Sequence, residues 1–156
     1  MAQYNFSSEA IKEHIESVYK DWFVAAFVKQ NKLISDSVEE MYANYVDGVV
    51  INATGFDVLV DGERHELKYT YKLQGKSTLR VGGLKSKPGK CDFIVIIDGL
   101  NNRTFKIPAD IFFDKEKYDE RFNVGVNVEF RWSGSYNEKD KVQIENTNLL
   151  LKYEEV

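Results

Sequence analysis

The stretch FDVLVDGERHELKYTYK, residues 56–72, alternates apolar and polar side chains on both sides of Asp61-Gly62. Asp-Gly between alternating hydrophobics is a tight-hairpin pattern, because these residue types tolerate the left-handed backbone that such a turn demands. With Asp61 and Gly62 as a two-residue loop, Val60 pairs with Glu63 and Asp57 falls opposite Glu66. With Gly62-Glu63 as the loop, Asp57 lies opposite Lys68 instead. In either register the two-residue period of a strand sets Asp57, Glu66 and Lys68 on one face. A three-residue loop with a bulge would undo that alignment, so loop length decides both the local fold and the grouping of these charges.

The plainer account of the three charges is a solvated strand face, where opposite charges across a hairpin contribute about 0.2–1 kcal/mol. The chemical account is more specific. Two carboxylates on adjacent strands can come within the span of one divalent cation, and hard cations take oxygen ligands. A lysine two residues along the strand stands beside them, able to steady a phosphate. Carboxylates that hold Mg²⁺, with a cation to stabilise developing charge, make up the equipment for phosphodiester hydrolysis.

Working toward the N-terminus, Ile11, Ile15, Val18, Trp22 and Ala25 recur at intervals of three and four, which predicts an amphipathic helix over residues 8–30. A second helix is expected over 37–46, with Val38, Met41, Tyr42 and Tyr45 on one face. Ser37-Val-Glu-Glu40 has capping-box spacing for its start, as does Asp36-Ser-Val-Glu39. Toward the C-terminus, CDFIVIIDG carries five consecutive apolar residues, Phe93 to Ile97, and reads as a central strand covered on both faces. RTFKIPADIFF is expected to be a strand ending near Pro108, followed by a short helix or loop. In NVGVNVEFRW, Val124, Val126, Val128, Phe130 and Trp132 fall on one face, and KVQIENTNLLLKY can pair back on it. Helices first and strands after predict a mixed α+β (or α/β) fold in a single domain over residues 1–156.

Composition sets outer limits. At 156 residues and 43% hydrophobic the chain can bury a core of its own. The longest apolar run is far short of a membrane span, and residues 1–10 lack a signal-peptide pattern, so no membrane partner is expected. Cys91 is the only cysteine, which rules out an intrachain disulfide and a cysteine zinc site and suits a reducing compartment. The net charge is −4, yet residues 67–91 hold seven bases and no acid, leaving −11 on the rest of the chain. A basic block on an acidic body is the electrostatic footprint of phosphate binding; a solvated lysine loop is the plainer alternative. Its glycines lack the spacing of a nucleotide-binding P-loop.

GFDVLVDGERHELK, preceded by a helix with acids and followed by CDFIVIIDG and RTFKIPADIF, resembles the PD-(D/E)xK nuclease superfamily, especially its restriction-endonuclease-like members. The resemblance spans roughly residues 37–113. It implies a restriction-endonuclease-like core at about 49–113 with a mixed central sheet, in which a helix leads into a three-strand meander, a connecting segment and a further central strand. Around that core stand N-terminal helices over 8–46 and a C-terminal β extension over about 122–153. It also implies Mg²⁺-dependent cleavage of double-stranded DNA, with Mn²⁺ as a substitute, in a cytoplasmic enzyme of bacterial or phage origin. Asp57 is then the motif aspartate, Glu66 the second acid and Lys68 the motif lysine, with Asp57 and Glu66 on the metal. An acid from the preceding helix joins the family's site, and Glu39 is preferred over Glu40, which already has a capping role.

Phe56 stands where the motif has proline. The segment LQGKSTLRVGGLKSKPGK is glycine-rich where the family has a helix. It is expected to track the DNA backbone, with Lys72, Lys76, Arg80, Lys85 and Lys87 on phosphates. A homodimer is expected, because symmetric cutting of a duplex needs two copies of so small a domain. The alternative is a non-catalytic nucleic-acid-binding protein on a degenerate nuclease fold. Asp92 and Asp98 read as strand-end polar residues, His65 as structural or exposed, and Tyr69 and Tyr71 as core.

Overall fold

The backbone turns hardest where the sequence places Asp61-Gly62. Asp61 at φ 48° and Gly62 at φ 82° form the two-residue left-handed turn that joins β2 (Phe56–Val60) to β3 (Glu63–Thr70). The structure is a computed structural model that describes residues 4–19, 30–53, 55–70, 78–81, 89–99, 101–112, 128–131, 147–148 and 150–155.

Before this hairpin come α1 (Ser8–Tyr19), α2 (Gln30–Val46) and β1 (Val49–Ala53). After it come β4 (Thr78–Val81), β5 (Phe93–Asp98), β6 (Arg103–Pro108), the short α3 (Ala109–Phe112) and β7 (Val128–Arg131). A 3₁₀ turn (Leu151–Tyr153) leads into β8 (Glu154–Glu155). Among the described residues six strands form one sheet in the order β1-β2-β3-β5-β6-β8. β5 runs parallel to β3, and the other neighbours are antiparallel, so the sheet is mixed and the fold is α+β. β1, β2 and β3 are the meander, and β5 is the further central strand. Ile94, Val95, Ile96 and Ile97 are fully buried, as five consecutive apolar residues on a two-sided strand require.

Helices α1 and α2 cover one face of this sheet. Ile11, Ile15, Ile34, Val38, Tyr42 and Ala43 pack there on Val58, Leu67, Val95 and Ile97. Ser7 caps α1, its Oγ accepting the Ala10 N–H at 3.1 Å. The end of α2 is a Schellman closure: Asp47 takes φ 55° and the Gly48 N–H donates to Ala43 O at 2.8 Å. A Cβ on Gly48 would stand 2.9 Å from Leu59 O, so only glycine lets β1 begin this close to β2.

Two expectations are corrected. α2 does not begin at Ser37: it runs from Gln30, and Ser37 is buried inside it. Ile34, one turn before Val38, extends the buried stripe, and burial of a helix face outweighs a local capping preference. Glu40 is not a capping residue either; its Oε2 lies 3.6 Å from His14 Nε2 on α1. Of the expected C-terminal β extension over about 122–153, residues 122–127, 132–146 and 149 lie outside the described residues. Among the described residues β7 joins β4 in a two-stranded sheet, and β8 joins the main sheet beside β6. Of the expected first helix, residues 20–29 lie outside the described residues.

Candidate active site

The hairpin register is Val60↔Glu63, Leu59↔Arg64 and Val58↔His65. Continuing it sets Asp57 opposite Glu66, as the two-residue loop predicts. The ladder stops there. In a two-residue hairpin Val60 and Glu63 form a hydrogen-bonded pair, and such pairs alternate, so the Leu67 N–H would next meet the Phe56 carbonyl. It donates instead to Asp57 Oδ2 at 2.8 Å. A side-chain carboxylate has replaced a main-chain acceptor, and β2 parts from β3 at this point. The β1–β2 register also shifts between Val50 and Ala53, which bends this part of the hairpin.

Strand alternation divides the side chains of β3. Glu63, His65, Leu67 and Tyr69 take the helix-covered side, while Arg64, Glu66 and Lys68 take the other, which they share with Asp57. Glu66 is 3% exposed and pairs in register with Ile94. A carboxylate buried against apolar surface requires a polar partner. Lys68 supplies one, its Nζ standing 3.2 Å from Glu66 Oε1 while its side chain remains partly open to solvent. Two acids and a lysine thus share one side of the sheet where two strands separate.

The remaining expected residues fall as follows. Glu39 is half-buried on α2, which packs on the helix-covered side through Tyr42 and Val38. Among the described residues no three of His, Cys, Asp and Glu are grouped so as to hold a metal ion together. Arg80 lies in β4 with Glu129 as its register partner. Lys72, Lys76, Lys85, Lys87 and Tyr71 lie outside the described residues. Tyr69 packs against the core. Asp98 is buried at the end of β5, accepting the Asn101 N–H at 3.1 Å and the Asn101 side-chain amide at 2.7 Å.

Asp92 has a larger part than a strand-end residue. Arg64 grips it through Nε at 3.1 Å, Nη2 at 3.0 Å and the main-chain N–H at 2.8 Å. Those hydrogen bonds hold the Asp92 carboxyl below the usual carboxylate range and raise the Arg64 guanidinium. The pair fastens the segment before β5 to β3. No local pattern marks it, because 28 residues separate the partners and only the parallel β3–β5 pairing brings them together.

His65 is buried on the helix side, its Nδ1 2.8 Å from the Tyr42 hydroxyl. Its ring stands edge-on to Phe93, over which Lys106 Nζ lies 4.2 Å from the centroid. Glu63 Oε1 is 3.7 Å from His65 Nε2 and 3.9 Å from Lys106 Nζ. Burial, with the nearby Lys106 charge, pushes the imidazole pKa down, while Glu63 opposes the shift. The histidine is structural, as the alternation of β3 implies.

No protein-family model matches this sequence, and no curated protein matches it. Among solved structures, the chain is similar to a bacterial homing endonuclease at 16% identity and a TM-score of 0.45. The match covers 79% of this chain and 93% of the other. No helix among the described residues is long and apolar enough to cross a membrane.

Proposed function

We propose that this chain is a Mg²⁺-dependent endonuclease of PD-(D/E)xK type that hydrolyses double-stranded DNA in the manner of a restriction enzyme. One observation carries the reading. β2 leaves β3 at Asp57, and there Asp57, the buried Glu66 and its lysine partner lie on one side of the sheet. A purely structural hairpin would complete its ladder with main-chain bonds and would not bury a carboxylate beside Ile94.

The donor set suits the ion. Asp57 and Glu66 offer only carboxylate oxygens, which a hard divalent cation takes. Bound there, Mg²⁺ would activate water and neutralise charge on the phosphate. Lys68, held next to Glu66, would stabilise the charge that develops on the phosphate oxygens. Asp57 is held in place by the Leu67 N–H, so its carboxylate is set before substrate arrives. Hydrolysis adds water at phosphorus and breaks the bond to the 3′ oxygen, leaving a 5′-phosphate and a 3′-hydroxyl. Glu39 belongs to this proposal as the helix acid of the family's site. Lys72, Lys76, Arg80, Lys85 and Lys87 belong to it as phosphate contacts, and a homodimer as the form that cuts both strands.

The test incubates the full chain with mixed plasmid DNA and Mg²⁺, beside Lys68→Ala and Asp57→Ala. Wild-type cleavage that stops with chelator and in both variants is the expected result. Cleavage persisting in both variants would remove the site assignment. Salt-sensitive DNA binding without cleavage would favour the non-catalytic binding protein.

A further inference from the structure

Among the described residues Lys90 stands apart from Arg64 and Lys68. Arg64 is committed to Asp92, and Lys68 to Glu66. Lys90 is exposed and makes no ion pair among the described residues. Its side-chain stem is nevertheless seated on one side, and the main chain on either side of it is tied to Arg64. Its stem lies along Gly55, two residues before Asp57: a Cβ built on Gly55 would overlap Lys90 Cβ and stand 2.8 Å from Cδ. Gly55 also has φ +100°, so both its backbone and its missing side chain make the seat. Along the main chain, Arg64 Nη1 reaches Gly89 O at 3.5 Å, and the Asp92 N–H donates to Arg64 O at 2.8 Å. The segment carrying Lys90 is therefore fastened both to β3, which bears Glu66 and Lys68, and to the hairpin end that bears Asp57.

We infer that Lys90 is a positioning residue for the DNA backbone, a preorganised cation that takes a phosphate beside the one at Asp57, Glu66 and Lys68. The inference rests on the nuclease reading above. A flexible surface lysine loses side-chain freedom whenever it grips a phosphate; a stem already seated on Gly55 has lost part of that freedom on folding. Neutralising one phosphate also releases condensed counterion, which gives the contact its own salt signature.

Lys90→Met keeps an apolar stem over Gly55 and removes the charge; Lys90→Arg keeps the charge. Cleavage of a synthetic duplex by the full chain is measured as KM and kcat, and binding is measured across a salt series. Lys90→Met is expected to raise KM about tenfold with kcat within about twofold. It should also reduce the slope of log affinity against log salt by about one. Lys90→Arg should restore both. Wild-type KM and salt slope in Lys90→Met would overturn the inference, as would a Lys90→Arg variant as impaired as Lys90→Met. If the wild-type chain binds DNA without cutting it, the salt slope alone decides. If it neither binds nor cuts, the nuclease reading fails and this inference falls with it.

Discussion

Asp57 has two duties that can be separated by substitution. Its Oδ2 accepts the Leu67 N–H at 2.8 Å, and Leu67 is 8% exposed, so deleting the carboxylate strands a nearly buried main-chain donor. A hydrogen bond to a charged acceptor contributes about 1.5–3 kcal/mol, and an orphaned buried donor costs about 1–3 kcal/mol. Asp57 is only half-buried, so water can reach part of the gap. Asp57→Ala is therefore expected to lose about 1–2 kcal/mol. For a chain of this size that is a drop in Tm of about 2–8 °C. Asp57→Asn retains an oxygen that can accept the same N–H and should recover most of that loss. It lacks the second anionic oxygen and the charge, so under the proposed function it should not cleave. Urea unfolding followed by tryptophan fluorescence, paired with plasmid cleavage in Mg²⁺, gives the two readouts. An Asp57→Asn variant that cuts at the wild-type rate would refute the chemical role. An Asp57→Ala variant as stable as wild type would refute the structural one.

Other expectations follow from the same geometry. Gly48→Ala places a Cβ 2.9 Å from Leu59 O and should destabilise the fold by about 1–3 kcal/mol, read as a lower urea midpoint. Tyr42→Phe removes the hydroxyl at 2.8 Å from His65 Nδ1 and should cost about 1–2 kcal/mol, with the helix-covered core otherwise unchanged. Since the His65 pKa is depressed by burial and Lys106, the unfolded chain takes up the proton first as pH falls. Stability is then full above the unfolded value of about 6.5 and declines on acidification below it, so urea midpoints should fall between pH 7.5 and 5.5. The decline should be shallower in His65→Gln; an equal slope in both would refute the assignment.

What the sequence made legible is what local rules govern. The Asp-Gly turn was readable because its left-handed conformation restricts residue choice, and β5 because an unbroken apolar run marks a strand covered twice. The grouping of Asp57, Glu66 and Lys68 followed from that turn by counting. The start of α2 was misread because Ser37 and Glu40 satisfy a local capping pattern, whereas the helix is decided by Ile34 meeting the core. The pairing of β7 with β4 carries no local signal, since it depends on contacts about fifty residues apart. The Arg64–Asp92 clamp and the seat of Lys90 on Gly55 share that origin in tertiary neighbours. So does the parting of β2 from β3, which arises where the β1–β2 register shifts.

The two ends of the described chain are moored to the same region. The Phe6 N–H donates to Asn102 Oδ1 and the Ser8 N–H to Gly99 O, both in the β5–β6 turn. β8 pairs with Thr104 and Phe105 just beyond that turn, and Arg103 locks Glu154 through two bonds of 2.8 Å. Topologically the chain is close to a ring. A short peptide joining the ends should close it without disturbing the sheet, and the circular protein should resist exopeptidases and unfold at a higher temperature, because its unfolded ensemble has fewer conformations to gain. A new break could then be opened at another surface position, leaving the β2–β3 hairpin and its charges in one uninterrupted segment.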